Sequence, residues 1–289
     1  MPLQPLGQLS HRPVFFCVHG LGGGVLDYRR LSQALGVEWP FYGLQARGLD
    51  GAEPIDESIE AMAAHYVRTI KGLQPAGPYY LGGYCFGGIV AYEMARQLGT
   101  SGDRVALVAI LEGYAPVGEG ERNEVWREWR LAINFLRALP YWLRDYLQLG
   151  RMQMRARNRR MLRVARKRLS RLAGVRAELD AHDVLDGVSS WPAQLQRVVE
   201  THLAAARRYS PTPYAGRIVL FRTPHRLLQA PELDMGWSRL STEPVDVQMI
   251  TGSHGTILEE PHVRVLAERL RASLIDSSGC GVPHQRGYG

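Results

Sequence analysis

Cys85 lies in a glycine-rich segment with the spacing of a catalytic turn. Residues 83–88 (GYCFGG) follow a strand-like apolar run at 79–81 and precede a helical pattern that starts near Ile89. A nucleophile on a tight turn from strand to helix adopts a strained backbone, which glycines on both sides accommodate. A thiol placed there predicts covalent nucleophilic catalysis. By itself, the segment is equally compatible with a buried structural cysteine.

A nucleophile of this kind needs a base, and His254 is the candidate. Residues 251–256 (TGSHGT) come after the last predicted strand and before the last predicted helix. Enzymes with a G-x-S-x-G nucleophile turn take their histidine from a loop in this place, after the nucleophile and the acid in chain order. Position therefore selects His254 from the nine histidines of the chain.

The acid that orients the histidine has two candidates. Glu112 directly follows the apolar run 105–111, at the sheet edge that also carries Cys85, although a helix-cap or salt-bridge role is an alternative for it. Asp234 lies further along the chain and would reach inward only if its loop folded back. We choose Glu112 to fix the tautomer of His254 and to stabilise its imidazolium form.

A second glycine-rich loop follows the first clear strand. Residues 19–24 (HGLGGG) lack both the dinucleotide-binding spacing of glycines and a phosphate-binding lysine. In a hydrolase, such a loop contributes one backbone N–H to the oxyanion hole, and the residue after the nucleophile contributes another. These donors are predicted to be Leu21 and Phe86.

Strand-like and helical segments alternate along the chain, which predicts an α/β fold with a mainly parallel sheet covered by helices. Helical spacing marks residues 59–70 and 89–98, and the last helix is expected to open at Pro261 and run to Leu274. Six strands are predicted, at residues 14–18, 41–44, 79–81, 105–111, 218–221 and 245–250.

One segment interrupts this alternation. Residues 116–213 contain no convincing strand and are predicted to form an inserted helical lid. The rest divides into a first core part at 1–115, a second core part at 214–276 and a disordered tail at 277–289. Aromatic residues of the insertion either line a substrate chamber or pack on the core: Trp126, Trp129, Phe135, Trp142 and Tyr146.

Composition narrows the class of protein. With 289 residues and 45% hydrophobic residues, the chain suits one α/β domain. The absence of a long apolar run and of a leader predicts a soluble, cytoplasmic protein without membrane contact. Three cysteines without metal-ligand spacing (Cys17, Cys85 and Cys280) predict neither disulfides nor a metal site, and Cys17 is expected in the core.

The net charge of +7 is concentrated in one stretch. Residues 151–176 contain eleven Arg and Lys residues and no acid. The stretch lacks interleaved aromatic residues and any nucleic-acid motif, so we expect no nucleic-acid partner. A solvated helix face is the default interpretation. The alternative is a docking surface for an acidic partner, with Arg159 and Arg163 as contacts.

Taken together, the motifs resemble the type I thioesterase domains that end nonribosomal peptide and polyketide synthases. The similarity covers nearly the whole chain and departs from the family at two residues, Cys85 for its usual serine and Glu112 for its usual aspartate. The segments and residues that carry it are 16–20 (FCVHG) with Gly22, Gly23 and Tyr28, 42–48 (YGLQARG), 78–84 (PYYLGGY), 91–95 (AYEMA), 209–211 (YSP), 213–214 (PY), 236–237 (GW) and 252–254 (GSH).

This resemblance implies an α/β-hydrolase fold and a substrate that arrives as a thioester on the phosphopantetheine arm of an acyl or peptidyl carrier protein fused upstream. It implies no cofactor bound by the domain itself, an acid after the strand that Glu112 follows, and a lid that shapes the acyl chamber. Carrier proteins of these systems are acidic, which suits residues 151–176.

A cysteine nucleophile in such a domain keeps the acyl group as a thioester. We therefore predict release by cyclisation or by acyl transfer to an amine or hydroxyl. Two alternatives remain open: a free-standing editing thioesterase that hydrolyses stalled chains, and a non-catalytic homologue that binds acyl groups or carrier proteins.

Overall fold

A computed structural model describes residues 3–5, 14–116, 188–224 and 232–278. In these ranges seven strands form one sheet with the order β1-β3-β2-β4-β5-β6-β7. The strands are β1 (Leu3–Pro5), β2 (Phe15–Val18), β3 (Phe41–Leu44), β4 (Tyr79–Tyr84), β5 (Val105–Leu111), β6 (Ile218–Arg222) and β7 (Asp246–Met249). The α-helices are α1 (Arg29–Leu35), α2 (Ile59–Leu73), α3 (Phe86–Thr100), α4 (Ala193–Arg208) and α5 (His262–Ser277).

The sheet is parallel except at one edge, which confirms the predicted architecture. Strands β2 to β7 pair in parallel, and β1 pairs antiparallel to β3. All six predicted strands are present; two have the predicted bounds, and the other four differ by one to three residues at an end. Strand β1 was missed because three residues that include a proline carry no periodic signal, so only pairing with β3 makes them a strand.

Strand residues alternate between two apolar layers, one on each face of the sheet. On β5, Val108 and Ile110 face the layer that contains α2, α3 and α4, whereas Ala109 and Leu111 face the layer of α1 and α5. Both layers exclude water, which is why parallel strands here are continuous apolar runs. Cys17 is fully buried in the second layer, as expected.

The layers leave the carboxyl ends of the parallel strands at one edge, where the loops that follow β2, β4, β5 and β7 meet. Helix α5 begins directly after Pro261, close to the predicted start. No helix in the described ranges combines the length and the apolar character that crossing a bilayer requires.

Several predictions fall on residues outside the described ranges. These include most of the proposed lid and the end of the tail. The residues concerned are Trp126, Trp129, Phe135, Trp142 and Tyr146, together with the docking candidates Arg159 and Arg163.

Candidate active site

Cys85 occupies a strained turn between β4 and α3. Its backbone has φ 54° and ψ −112°, a conformation that non-glycine residues rarely adopt. The strain is carried by the cysteine, while the glycines permit close packing. A Cβ atom on Gly83 would lie 2.2 Å from the Gly87 backbone, and one on Gly87 would lie 2.4 Å from the Val18 carbonyl oxygen. Cys85 is half-buried and directly precedes the first residue of α3.

Glu112 directly follows β5 beside this turn and is fully buried. Its φ of 53° makes it a second strained non-glycine residue, and its N–H donates to the Phe221 carbonyl at 2.7 Å. The carboxylate reaches towards β6, where it accepts hydrogen bonds from Thr223. The Thr223 N–H lies 2.5 Å from Oε2, and its hydroxyl lies 3.0 Å from Oε1.

His254 lies in the loop between β7 and α5, in contact with Tyr84, the residue before Cys85. The rings of His254 and Tyr84 stack with centroids 4.9 Å apart and an interplanar angle of 22°. The Tyr84 hydroxyl also donates to the His254 carbonyl oxygen. Tyr84 thus holds both the ring and the backbone of His254 in place.

Backbone contacts bring the three predicted residues to one edge of the sheet. The Cys85 N–H donates to Leu111, the residue before Glu112, at 2.9 Å. A Cβ atom on Gly113 would lie 2.7 Å from the Cys85 carbonyl oxygen, so the loop after β5 and the Cys85 turn are in direct contact. On the other side, Tyr84 connects the turn to His254. The arrangement suits covalent catalysis with a base and an orienting acid.

The loop at residues 19–24 packs against the same turn. Tyr28 links the two, because its hydroxyl donates to the Val18 carbonyl at 2.5 Å and accepts from the Tyr84 N–H at 3.1 Å. Phe86 is the first residue of α3, and amides of a first helical turn have no acceptor within their own helix. Leu21 and Phe86 are both buried beside the turn.

Two buried histidines stack at this loop: His19, its first residue, and His202 of α4. His19 and His202 stack with ring centroids 5.0 Å apart, and neither side chain is exposed. Burial lowers the pKa of His202 to about 4. Burial and the neighbouring His202 lower the pKa of His19 to about 3. Both rings are therefore neutral near pH 7.

Asp234, the alternative acid, is engaged elsewhere. Its carboxylate accepts from the N–H groups of Gly236 and Ser238 at 3.2 and 2.8 Å, so it caps its own turn. This turn supports the acid loop indirectly, since Trp237 donates from Nε1 to the Gly113 carbonyl at 2.8 Å. These contacts favour Glu112 as the orienting acid.

Sequence reasoning missed the residues that hold the site together, namely Tyr28, Tyr84, Thr223 and His202. Tyr28 and Tyr84 belong to segments that carried the family resemblance, so a signal was present. Thr223 and His202 carried none, because their importance depends on contacts between distant segments. Among the described residues, no group of three or more His, Cys, Asp or Glu side chains is placed to hold a metal ion.

A mainly parallel sheet, a strained turn from a central strand into a helix and a histidine in the loop after the last strand are typical of the α/β-hydrolase fold. The family model of the thioesterase domain matches residues 13–274. The chain belongs to this family.

Relatives and solved structures agree with this assignment. The chain is 41% identical over 126 residues to a dimodular nonribosomal peptide synthase of Bacillus subtilis, covering 42% of this chain and 5% of the synthase. It is 40% identical over 138 residues to malpinin synthetase of Mortierella alpina, covering 47% of this chain and 2% of the synthetase. The chain thus corresponds to a small part of each of these relatives.

Among solved structures, the thioesterase domain of Vlm2 with a bound dodecadepsipeptide is 25% identical with a TM-score of 0.58. The match covers 98% of this chain and 99% of that domain. The four-domain nonribosomal peptide synthetase AB3403 is 24% identical with a TM-score of 0.65, covering 94% of this chain and 20% of that protein.

Proposed function

We propose that this chain releases an acyl or peptidyl group from the phosphopantetheine arm of a carrier protein, through a thioester on Cys85. The observation that carries the proposal is the strained Cys85 turn, which has Glu112 on one side and the Tyr84–His254 stack on the other. Membership of the thioesterase family and the synthetase relatives support the substrate class.

In the first step, His254 accepts the proton of the Cys85 thiol, and the sulfur attacks the substrate carbonyl carbon. The bond between this carbon and the phosphopantetheine sulfur then breaks, and His254 returns the proton to the leaving thiol. The Glu112 carboxylate stabilises the imidazolium ion that exists between these events. The N–H groups of Leu21 and Phe86 donate to the carbonyl oxygen while it carries negative charge.

In the second step, an amine or hydroxyl attacks the acyl-enzyme and transfers its proton to His254, which passes it to the departing Cys85 sulfur. Exchange of one thioester for another is nearly isoenergetic, so the acyl group remains activated on the enzyme. Thioesters also favour amines over water more strongly than oxygen esters do. We therefore propose release by cyclisation or acyl transfer in preference to hydrolysis.

Intact-mass analysis with a panel of peptidyl N-acetylcysteamine thioesters that carry a free terminal amine tests both steps. We expect a covalent acyl adduct that maps to Cys85 and is absent from Cys85→Ala. The wild type should form more lactam or amide than free acid, and Cys85→Ser should shift the products towards the acid.

The outcomes separate the alternatives. No adduct with any thioester, together with no turnover, would identify a non-catalytic homologue and overturn the proposal. An adduct that yields only free acid, from the panel and from the carrier-bound chain, would identify a hydrolytic editing enzyme and overturn the release step alone.

A further inference from the structure

We infer that His202 is a positioning residue that holds the oxyanion loop against the amino terminus of α3. This inference rests on the proposed function, since it assigns a role in the same reaction. His202 belongs to α4, which lies in the long segment between β5 and β6 and supplies none of the predicted catalytic groups. It nevertheless contacts both residues that we propose as oxyanion donors.

The first contact is a hydrogen bond to the oxyanion loop. His202 Nδ1 lies 2.9 Å from the Leu21 carbonyl oxygen. A carbonyl only accepts, so Nδ1 carries the proton and the neutral ring has the Nδ1–H tautomer. The bond fixes the orientation of the Leu21–Gly22 peptide and, through the chain, that of the neighbouring Leu21 N–H.

The second contact is a ring stack on the residue after the nucleophile. The His202 and Phe86 rings lie with centroids 4.8 Å apart and an interplanar angle of 12°. One imidazole therefore bridges the loop after β2 and the first residue of α3. An oxyanion hole depends on the fixed spacing of its two donors, and this bridge sets that spacing.

The rest of α4 and the turn before it pack on the same loop. A Cβ atom on Gly23 would lie 3.2 Å from Val198 Cγ1, and one on Gly22 would lie 3.8 Å from the Trp191 ring. The loop thus has α4 as its outer support.

Packing alone does not explain why residue 202 is a histidine, as its second ring nitrogen, Nε2, indicates. His202 Nε2 is buried and has no hydrogen-bond partner among the described residues. Burial of an unsatisfied nitrogen is unfavourable, and a phenylalanine would form the same stack without this cost. The donor at Nδ1 is what a phenylalanine lacks.

Three substitutions test this role. His202→Phe keeps the ring stack and removes the donor. His202→Asn places an amide N–H near the Nδ1 position, whereas His202→Gln places the same group one methylene further out. Val199→Ala is the control, since Val199 is buried on the same helix at a site that is not bonded to Leu21. The readouts are kcat and KM with an N-acetylcysteamine thioester, inhibition by the corresponding acyl aldehyde, and the rate of Cys85 alkylation by iodoacetamide.

We expect His202→Phe to lower kcat by about 10- to 100-fold with KM within about twofold, because only the charged transition state uses the donors. The adduct of the aldehyde carries an oxygen at the position of the oxyanion in the transition state. Inhibition by the aldehyde should therefore weaken in parallel with kcat. Alkylation needs no oxyanion hole and should keep its rate. His202→Asn should recover most of the lost kcat, and His202→Gln should not.

Equal kcat values for wild type and His202→Phe would overturn the inference, as would equal kcat values for the Asn and Gln variants. If His202→Phe does not fold, the Asn and Gln pair still decides the question. Failure of the proposed function is distinguishable, because then the wild type itself would show no Cys85-dependent turnover.

Discussion

Thr223 donates two hydrogen bonds to the carboxylate of Glu112, one from its backbone N–H and one from its hydroxyl. The two residues follow neighbouring strands, β5 and β6, whose register places Leu111 opposite Phe221. A glutamate is one methylene longer than the aspartate usual in this family, and the extra length carries the carboxylate across to β6. Thr223 thereby fixes the carboxylate that we propose to orient His254.

The first prediction concerns the Thr223 hydroxyl. Thr223→Val keeps the shape and the backbone N–H but removes the bond to Oε1. We expect kcat to fall by about tenfold, because a buried carboxylate loses a charge-assisted hydrogen bond and its orientation. Thr223→Ser is the matched control and should stay close to the wild type. Steady-state kinetics with a synthetic thioester measure kcat for both variants. Equal kcat values for Thr223→Val and Thr223→Ser would contradict the role of the hydroxyl.

The second prediction ranks the three catalytic candidates. Glu112→Ala should lose less activity than Cys85→Ala or His254→Ala, since a thiol ionises more readily than a hydroxyl and depends less on the orienting acid. Acyl-enzyme formation in a single turnover provides the measurement. An equal loss in all three variants would show that the acid is as essential as the nucleophile.

The third prediction separates two contacts of Tyr84. Tyr84→Phe keeps the stack on His254 but loses the hydrogen bond to its carbonyl, worth about 1 kcal/mol, so kcat should fall by about fivefold. Tyr84→Leu loses the stack as well and should be clearly slower. Both variants should retain Cys85 alkylation by iodoacetamide. Identical kinetics in the two variants would show that the stack contributes nothing.

Sequence patterns predicted the parts of this molecule that depend on local chemistry. The strands are apolar runs because both faces of the sheet are buried, and the Cys85 turn needs glycines where Gly83 and Gly87 touch neighbouring backbone. Such requirements appear in one short stretch of sequence, and so Cys85, Glu112 and His254 could be chosen by position as candidates, which remain predictions.

The contacts that support these residues could not be predicted in the same way. Thr223 is 111 residues from Glu112, and His202 is 181 residues from Leu21. No sequence pattern predicts a contact over such separations along the chain, because each contact depends on how whole strands and helices pack. A buried histidine on α4 has the helical spacing of an ordinary core residue, and only the bond to Leu21 distinguishes it.

The fourth prediction is a loss of stability at mildly acidic pH that originates in His19 and His202. Both have lowered pKa values in the folded protein, about 3 and about 4, against 6.5 when unfolded. Between pH 6.5 and pH 4 the unfolded chain binds more protons than the folded protein. The contribution of the two histidines to the free energy of unfolding is therefore fully present above pH 6.5 and falls as the pH drops through 6.5 towards 4. At pH 5 the loss is about 2 kcal/mol for each histidine.

Urea unfolding at pH 8 and pH 5 measures this effect. The wild type should lose about 4 kcal/mol of unfolding free energy between the two pH values from the pair, at about 1.4 kcal/mol per pH unit and group. His202→Asn, which cannot titrate there, should lose about 2 kcal/mol less than the wild type, whatever its stability at pH 8. Val199→Ala is a destabilised control that should keep the wild-type difference. A His202→Asn difference equal to that of the wild type would mean that the pKa of His202 does not change on folding, and would contradict the lowering of this pKa by burial.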